Sequence, residues 1–323
     1  MKKLMLLASA AAAAVFSTTA AQADVSVSGS YGFHAITGKD VLGGTSSSDT
    51  SVSTSGTLFM QGGGVSFAMS TTTAGGMTVS ASAGITLDSN DADGTTSATG
   101  LSAVTFAADG FSLVVGEMDL PGGGGTGEVG FVASAVVDNG GYTQTGISTG
   151  LLNTEGYGFV ASTSVSGASV SLGYIADYTN SGINNAETSS GDYATGFTIS
   201  MPMGSATVSL GTASQSGAKD ETTTGASIAL PVGGMTVKAG YESTDESTDS
   251  TTMSGAISGS LDADTSWAIG YSDGEQGTAA STMLEAKLSR SLGGGVSVYA
   301  ELQNTSGSGT SGTNLAVGTT VAF

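Results

Sequence analysis

Residues 168–178 read ASVSLGYIADY, and their character changes at every second position. Val170, Leu172, Tyr174, Ala176 and Tyr178 share one face, with Ser171, Gly173, Ile175 and Asp177 between them. A period of two marks a strand lying between two different environments. The same reading holds at 24–33, where Val25, Val27, Tyr31 and Phe33 alternate with Ser26, Ser28, Ser30 and His34. It holds again for Met77, Val79, Ala81, Ala83, Ile85 and Leu87, and for Leu315, Val317, Thr319, Val321 and Phe323. The chain is therefore read as all-β.

The composition says what the two environments are. Only 11% of the 323 residues are charged, against roughly 25% in a soluble domain. Mean hydropathy is nevertheless only +0.17, far from that of a bundle of membrane helices. Ser, Thr and 52 Gly fill the difference, and there is no Cys to form a disulfide framework. A sheet with apolar residues toward lipid and hydroxyls toward water meets both observations. A β-solenoid would show a fixed short repeat, and the chain has none.

The first residues address the chain to export. Lys2 and Lys3 precede an apolar stretch and the small-residue site Ala21-Gln22-Ala23, which reads as a secretory signal peptide over 1–23. Cleavage there leaves 24–323 as the barrel domain, with five basic residues against 27 acidic ones, a net charge of −22. That balance argues against nucleic acid as a partner.

Breaks between strands alternate in kind. Seven are short and Gly-rich: 73–76, 109–110, 166–167, 203–205, 232–234, 262–265 and 293–295. Eight are read as long and polar: 37–56, 88–99, 117–154, 179–191, 217–225, 244–253, 273–282 and 305–314. Fifteen breaks give sixteen strands, many near the roughly 9–11 residues that cross a bilayer at a tilt. Short turns on one side and long loops on the other describe an outer-membrane barrel, closed because lipid cannot satisfy a free sheet edge. Sixteen strands leave a lumen wide enough for water. Tyr157, Tyr178, Tyr193, Tyr241 and Tyr271 fall near long-loop ends, and Phe111, Trp267 and Phe323 near short-turn ends, as two aromatic girdles.

These features together resemble the Gram-negative general porins, over essentially the whole chain after residue 23. The opening strand DVSVSGSYGF, the strand count, the longest loop between the fifth and sixth strands, and the terminal LAVGTTVAF ending on Phe323 carry the resemblance. The glycine-rich, acidic character looks most like porins of alphaproteobacteria. The resemblance implies a trimeric, passive channel in the outer membrane, set among lipid and lipopolysaccharide and open to small hydrophilic solutes and ions. It also implies that Phe323 is read by the barrel-assembly machinery. Finally, it implies a third loop folded into the lumen, where its carboxylates Glu117, Asp119, Glu128 and Asp138 narrow the passage. The family's arginine cluster on the early strands is missing, since no Arg precedes Arg290.

Strand phase supplies the rest of the candidate lumen. It turns His34, Lys238, Glu242, Glu285, Lys287, Glu301 and Gln303 inward, and places Arg290 outward at the short-turn rim. With so few bases, the lumen is expected to favour cations. A sugar-selective channel is an alternative, as is a surface adhesin or structural barrel. Phase sets most aromatics outside, with Tyr299 as an inward exception.

Other chemistry has little to build on. Gly122, Gly124 and Gly127 fit a dinucleotide-binding spacing, but no helix follows to hold the phosphate. His34 is the only histidine, so no zinc set exists, and no enzyme is expected. DSNDADG at 88–94 fails as a calcium hand, because Ser89 and Gly100 stand where the loop needs acids. Asp91, Asp93, Asp245, Glu246 and Asp249 offer at most a loose Ca²⁺ interaction beside plain solvation, and no cofactor is implied otherwise.

Overall fold

A computed structural model describes residues 24–38, 56–88, 96–99, 103–122, 155–176, 193–216, 220–245, 248–307 and 311–323. In chain order the strands are β1 (Asp24–Gly38), β2 (Gly56–Thr72), β3 (Thr78–Asp88), β4 (Thr96–Thr99), β5 (Ala103–Ala108) and β6 (Phe111–Asp119). There follow β7 (Glu155–Val165), β8 (Ala168–Ala176), β9 (Tyr193–Met203), β10 (Ala206–Ser216), β11 (Glu221–Val232) and β12 (Met235–Asp245). The last are β13 (Ser250–Ser260), β14 (Thr265–Gln276), β15 (Ala279–Gly293), β16 (Val296–Gly307) and β17 (Gly312–Ala322). Each pairs antiparallel with its chain neighbours, except that β4 and β5 both lie along β3 as two pieces of one position. The barrel therefore has sixteen positions around it, and β1 closes it by pairing with β17 from Ser30 opposite Ala322 to Gly38 opposite Asn314.

Closure follows from backbone chemistry: in hydrocarbon every N–H and C=O must find a partner within the sheet. The seam is finished by the last residue. Gly29 donates to the Phe323 carbonyl at 2.8 Å, and Phe323 donates back at 3.0 Å. The Phe323 ring lies over Gly29 so closely that a Cβ there would fall 2.6 Å from its Cζ.

Hairpins at the short side use the turn their twist demands. Ser166–Gly167 has φ of 52° and 84°, and Gly233–Gly234 has 55° and 87°. Both central residues with positive φ make the turn that matches the right-handed twist of paired strands. Among the described residues one register shift occurs, between Ser291 and Gly293 on β15. None occurs at Gly62–Gly64, where a bulge could be read from sequence; β1 and β2 stay in step throughout.

The two faces differ as the alternation requires. Leu172, Leu210, Ile228, Ile269, Leu288 and Val317 are all exposed on the outer surface. An apolar surface this extensive marks contact with something other than water, here the hydrocarbon of the membrane. Tyr193, Tyr241 and Tyr271 are exposed near the long-loop rim, and Phe111 and Phe323 near the other. Phe159, Tyr174 and Tyr193 stack in line, with centroids 6.1 and 6.2 Å apart. Tyr178 lies outside the described residues.

One part of the sequence reading is corrected. The last four long breaks are much shorter than their polarity suggests, spanning only 217–220, 246–249, 277–278 and 308–311. Threonine and serine suit a strand as well as a loop. Beyond the lipid band the outer positions no longer need apolar side chains, so alternation fades while pairing continues. Thr222, Thr224 and Ser243 are such residues, paired in β11 and β12 although the pattern around them had become polar.

Candidate functional site

Register determines which side chains line the lumen. Rows run around the barrel from one strand to the next. Lys238 stands between Ala229 and Ala256, and Glu242 between Gly225 and Thr252. Glu285 stands between Gly270 and Gln303, and Lys287 between Ala268 and Glu301. These positions share phase with the serines and threonines, opposite the leucine face.

Three of these groups form one constellation on β15 and β16. The Lys287 ammonium is 2.6 Å from the Glu301 carboxylate and 5.2 Å from the centre of the Tyr299 ring. One strand step away, the Gln303 amide donates to Glu285 at 3.2 Å. Glu301, Glu285 and Tyr299 are buried. A buried carboxylate is costly unless a cation or donors compensate it, and Lys287 and Gln303 supply that here. Glu242 is buried on the same inner face, whereas Lys238 is exposed.

Two members of this wall escape sequence reading. Gln215 and Glu221 face each other across β10 and β11, both buried on the inner face. They lie at the ends of strands where the polar stretch resembles a loop. The usable signal was the alternation Thr222–Thr224–Ala226–Ile228 on the opposite face, which already forces Glu221 inward.

The third loop's carboxylates are placed differently from expectation. β6 continues to Asp119, so phase rather than loop geometry governs Glu117 and Asp119. Both are in step with Phe111, Leu113 and Val115 on the outer face; Glu117 lies opposite Tyr157 and Asp119 opposite Glu155. They belong to the outer rim above the apolar band, which corrects their assignment to the passage. Glu128 and Asp138 lie outside the described residues, as do Asp91, Asp93 and Glu246. His34 holds an inward register position between Met60 and Gly318, and its side chain is outside the described set. Asp245 and Asp249 are exposed at the extracellular end. Among the described residues, no three His, Cys, Asp or Glu come together as a metal-holding group.

The chain does turn inward after Asp119. Leu120, Ile175 and Ala194 form a buried cluster, with Ile175 and Ala194 paired on the inner face of β8 and β9. Pro121 lies against Gly173 and Gly196, the next inward pair. Gly122 has φ of 77° and lies over the β9–β10 backbone; a Cβ there would fall 2.6 Å from the Phe197 carbonyl and 2.7 Å from Thr212. The base of the third loop thus lies on the inside of the wall.

Arg290 is outward at the short-turn rim. Its guanidinium donates to the Thr265 hydroxyl at 3.3 Å and lies 3.7 Å from the Asp262 carboxylate.

A family model described as Gram-negative porin matches residues 8–310. Among curated proteins, none matches the sequence. Solved barrels are similar in fold at low identity. A loop-deletion mutant of OmpT, an outer membrane protein of Vibrio cholerae, is 12% identical with a TM-score of 0.68, covering 93% of this chain and 99% of its own. An anion-selective porin from Comamonas acidovorans is 15% identical with a TM-score of 0.66, covering 94% and 100%. A mutant Rh. blastica porin is 18% identical with a TM-score of 0.65, covering 93% and 100%.

Proposed function

Because the chain belongs to the Gram-negative porin family and is an outer-membrane channel, we propose that it passes small hydrophilic solutes and ions by diffusion, with preference for cations. One observation carries the sign of that preference. Among the described residues, the inner wall holds Glu221, Glu242, Glu285 and Glu301 against Lys238 and Lys287, and Lys287 is committed to Glu301. Carboxylates along a passage concentrate cations and repel anions. The barrel shape leaves the sign open, since the similar Comamonas acidovorans barrel is anion-selective. Reversal potentials across a KCl gradient in planar bilayers test the reading. Cation preference supports it, and anion preference overturns it. Steady conductance steps without saturation by a sugar would separate it from a sugar-selective channel and from a closed structural barrel.

Three further parts of the reading travel with it. Residues 1–23 direct export and are removed. The protein assembles as a homotrimer, in line with a similar Vibrio cholerae barrel described in trimer form. Phe323 serves as the signal for barrel assembly, and its place at the β1–β17 seam supports that role. Gel migration before and after heating tests the trimer, and amino-terminal sequencing tests the cleavage.

A further inference from the structure

Two glycines, Gly173 in β8 and Gly196 in β9, sit where a strand interior should disfavour them. Glycine weakens a strand and offers no side chain to pack, so in a sheet it often marks the close approach of another segment. On the inner wall that approach is visible. A Cβ on Gly173 would fall 2.5 Å from Pro121 Cδ and 2.9 Å from Leu120 Cδ2. A Cβ on Gly196 would lie 2.1 Å from the Pro121 carbonyl oxygen. Gly173 and Gly196 are register partners, so the two vacancies form one shallow bed across β8 and β9. Leu120 packs beside it on Ile175 and Ala194. Gly122, in a conformation that disfavours other residues, carries the chain on over β10.

We infer that the Gly173–Gly196 bed is a positioning element for the channel: it holds Leu120-Pro121-Gly122 against the wall and so fixes where the third loop starts inside the lumen. The inference rests on the channel reading and deepens it. A wall of ordinary side chains would hold the loop base away from the sheet. The bed lets it lie at backbone distance and gives it a single seat, and one seat gives one conductance level.

Single-channel recording of the full-length protein in planar bilayers tests this, with barrel formation checked by heat-modifiable gel mobility. Gly173→Ala is expected to replace the native unitary step with a shifted or multiple-level distribution. Pro121→Ala, which leaves the wall intact, is expected to disturb the step as well. The double variant is expected to restore a single level, because the new methyl occupies the space of the lost Cγ and Cδ. Gly255→Ala serves as control: the nearest atom to a Cβ there is 3.6 Å away, and its step should match the native one. If Gly173→Ala fails to form a barrel, Pro121→Ala alone decides. Native steps that neither variant moves overturn the inference, as does a double variant no nearer the native step than its parents. A native protein that gives no steps at all removes the channel reading and this inference with it.

Discussion

Two stretches of the inner wall stand eight places apart around the sixteen, β8 with its neighbours and β16 with its own. They share a backbone and a period, yet they do different things. Around β8 and β9 the inward positions include Ser169, Ser171, Gly173, Ile175, Ala194, Gly196, Thr198 and Ser200, with no charge among them. On β15 and β16 the corresponding inward residues include Glu285, Lys287, Glu301 and Gln303. The first region works by shape, through side chains that are absent. The second works by electrostatics, through charges that must compensate one another inside a partly water-excluded wall. Perturbing the first should move the loop and leave the barrel stable. Perturbing the second should change ion preference, barrel stability, or both.

The largest effect on stability is expected from Lys287→Ala. It leaves Glu301, only 4% exposed, without its 2.6 Å cation. Breaking a buried pair costs about 3–5 kcal/mol; because Lys287 is 22% exposed and partly screened, about 2 kcal/mol is expected here. Urea unfolding of the reconstituted barrel measures it. Lys287→Ala with Glu301→Gln should recover most of the loss, since no uncompensated charge remains. If Lys287→Ala unfolds like the native protein, the electrostatic account of this wall is wrong.

Ion preference should respond next. Lys238 is exposed on the lumen side, so Lys238→Glu should raise cation preference, read as a larger reversal potential in a KCl gradient. Glu285→Gln should lower it by less. That carboxylate is buried, and the amide keeps the side-chain oxygen that accepts from Gln303. A Glu285→Gln variant that shifts selectivity more than Lys238→Glu would mean that ions pass close to β15 and that exposure is a poor guide to the path. Neither change should alter the number of conductance levels, which is the property assigned to the glycine bed.

How much of this was legible beforehand differs between the two regions for a physical reason. The charged wall was readable because alternation fixes direction: Val237 and Ala239 point outward, so Lys238 points in. The same rule went wrong only where the strand's extent was misjudged. Glu117 and Asp119 look like loop residues beside Pro121 and its glycines, but three more residues of pairing put them on the outer face. Glu221 was hidden by the mirror-image error, a strand end polar enough to pass for a loop. The glycine bed was not legible at all. Its partners, residues 120–122 and 173–196, are far apart in sequence, and a glycine in a strand does not announce what approaches it.

The smallest effect is expected at the short-turn rim, which neither region touches. Asp262 is held below the usual carboxylate range, first by the Asp264 N–H, then by the Thr265 hydroxyl and N–H and by Arg290. A carboxyl whose folded value is lowered contributes stability that is present above its ordinary range and is lost as pH falls through the lowered value. The group is exposed, and its ion pair with Arg290, at 3.7 Å, is screened by water and salt. Asp262→Asn should therefore leave conductance and selectivity as in the native protein and slightly flatten the fall of stability on the acid side of neutrality. Urea midpoints compared at pH 7 and pH 3 read this. A large change in ion selectivity from Asp262→Asn would show that charge at the periplasmic rim reaches the passage, and the contrast between the two wall regions would then understate how far electrostatics act along the pore.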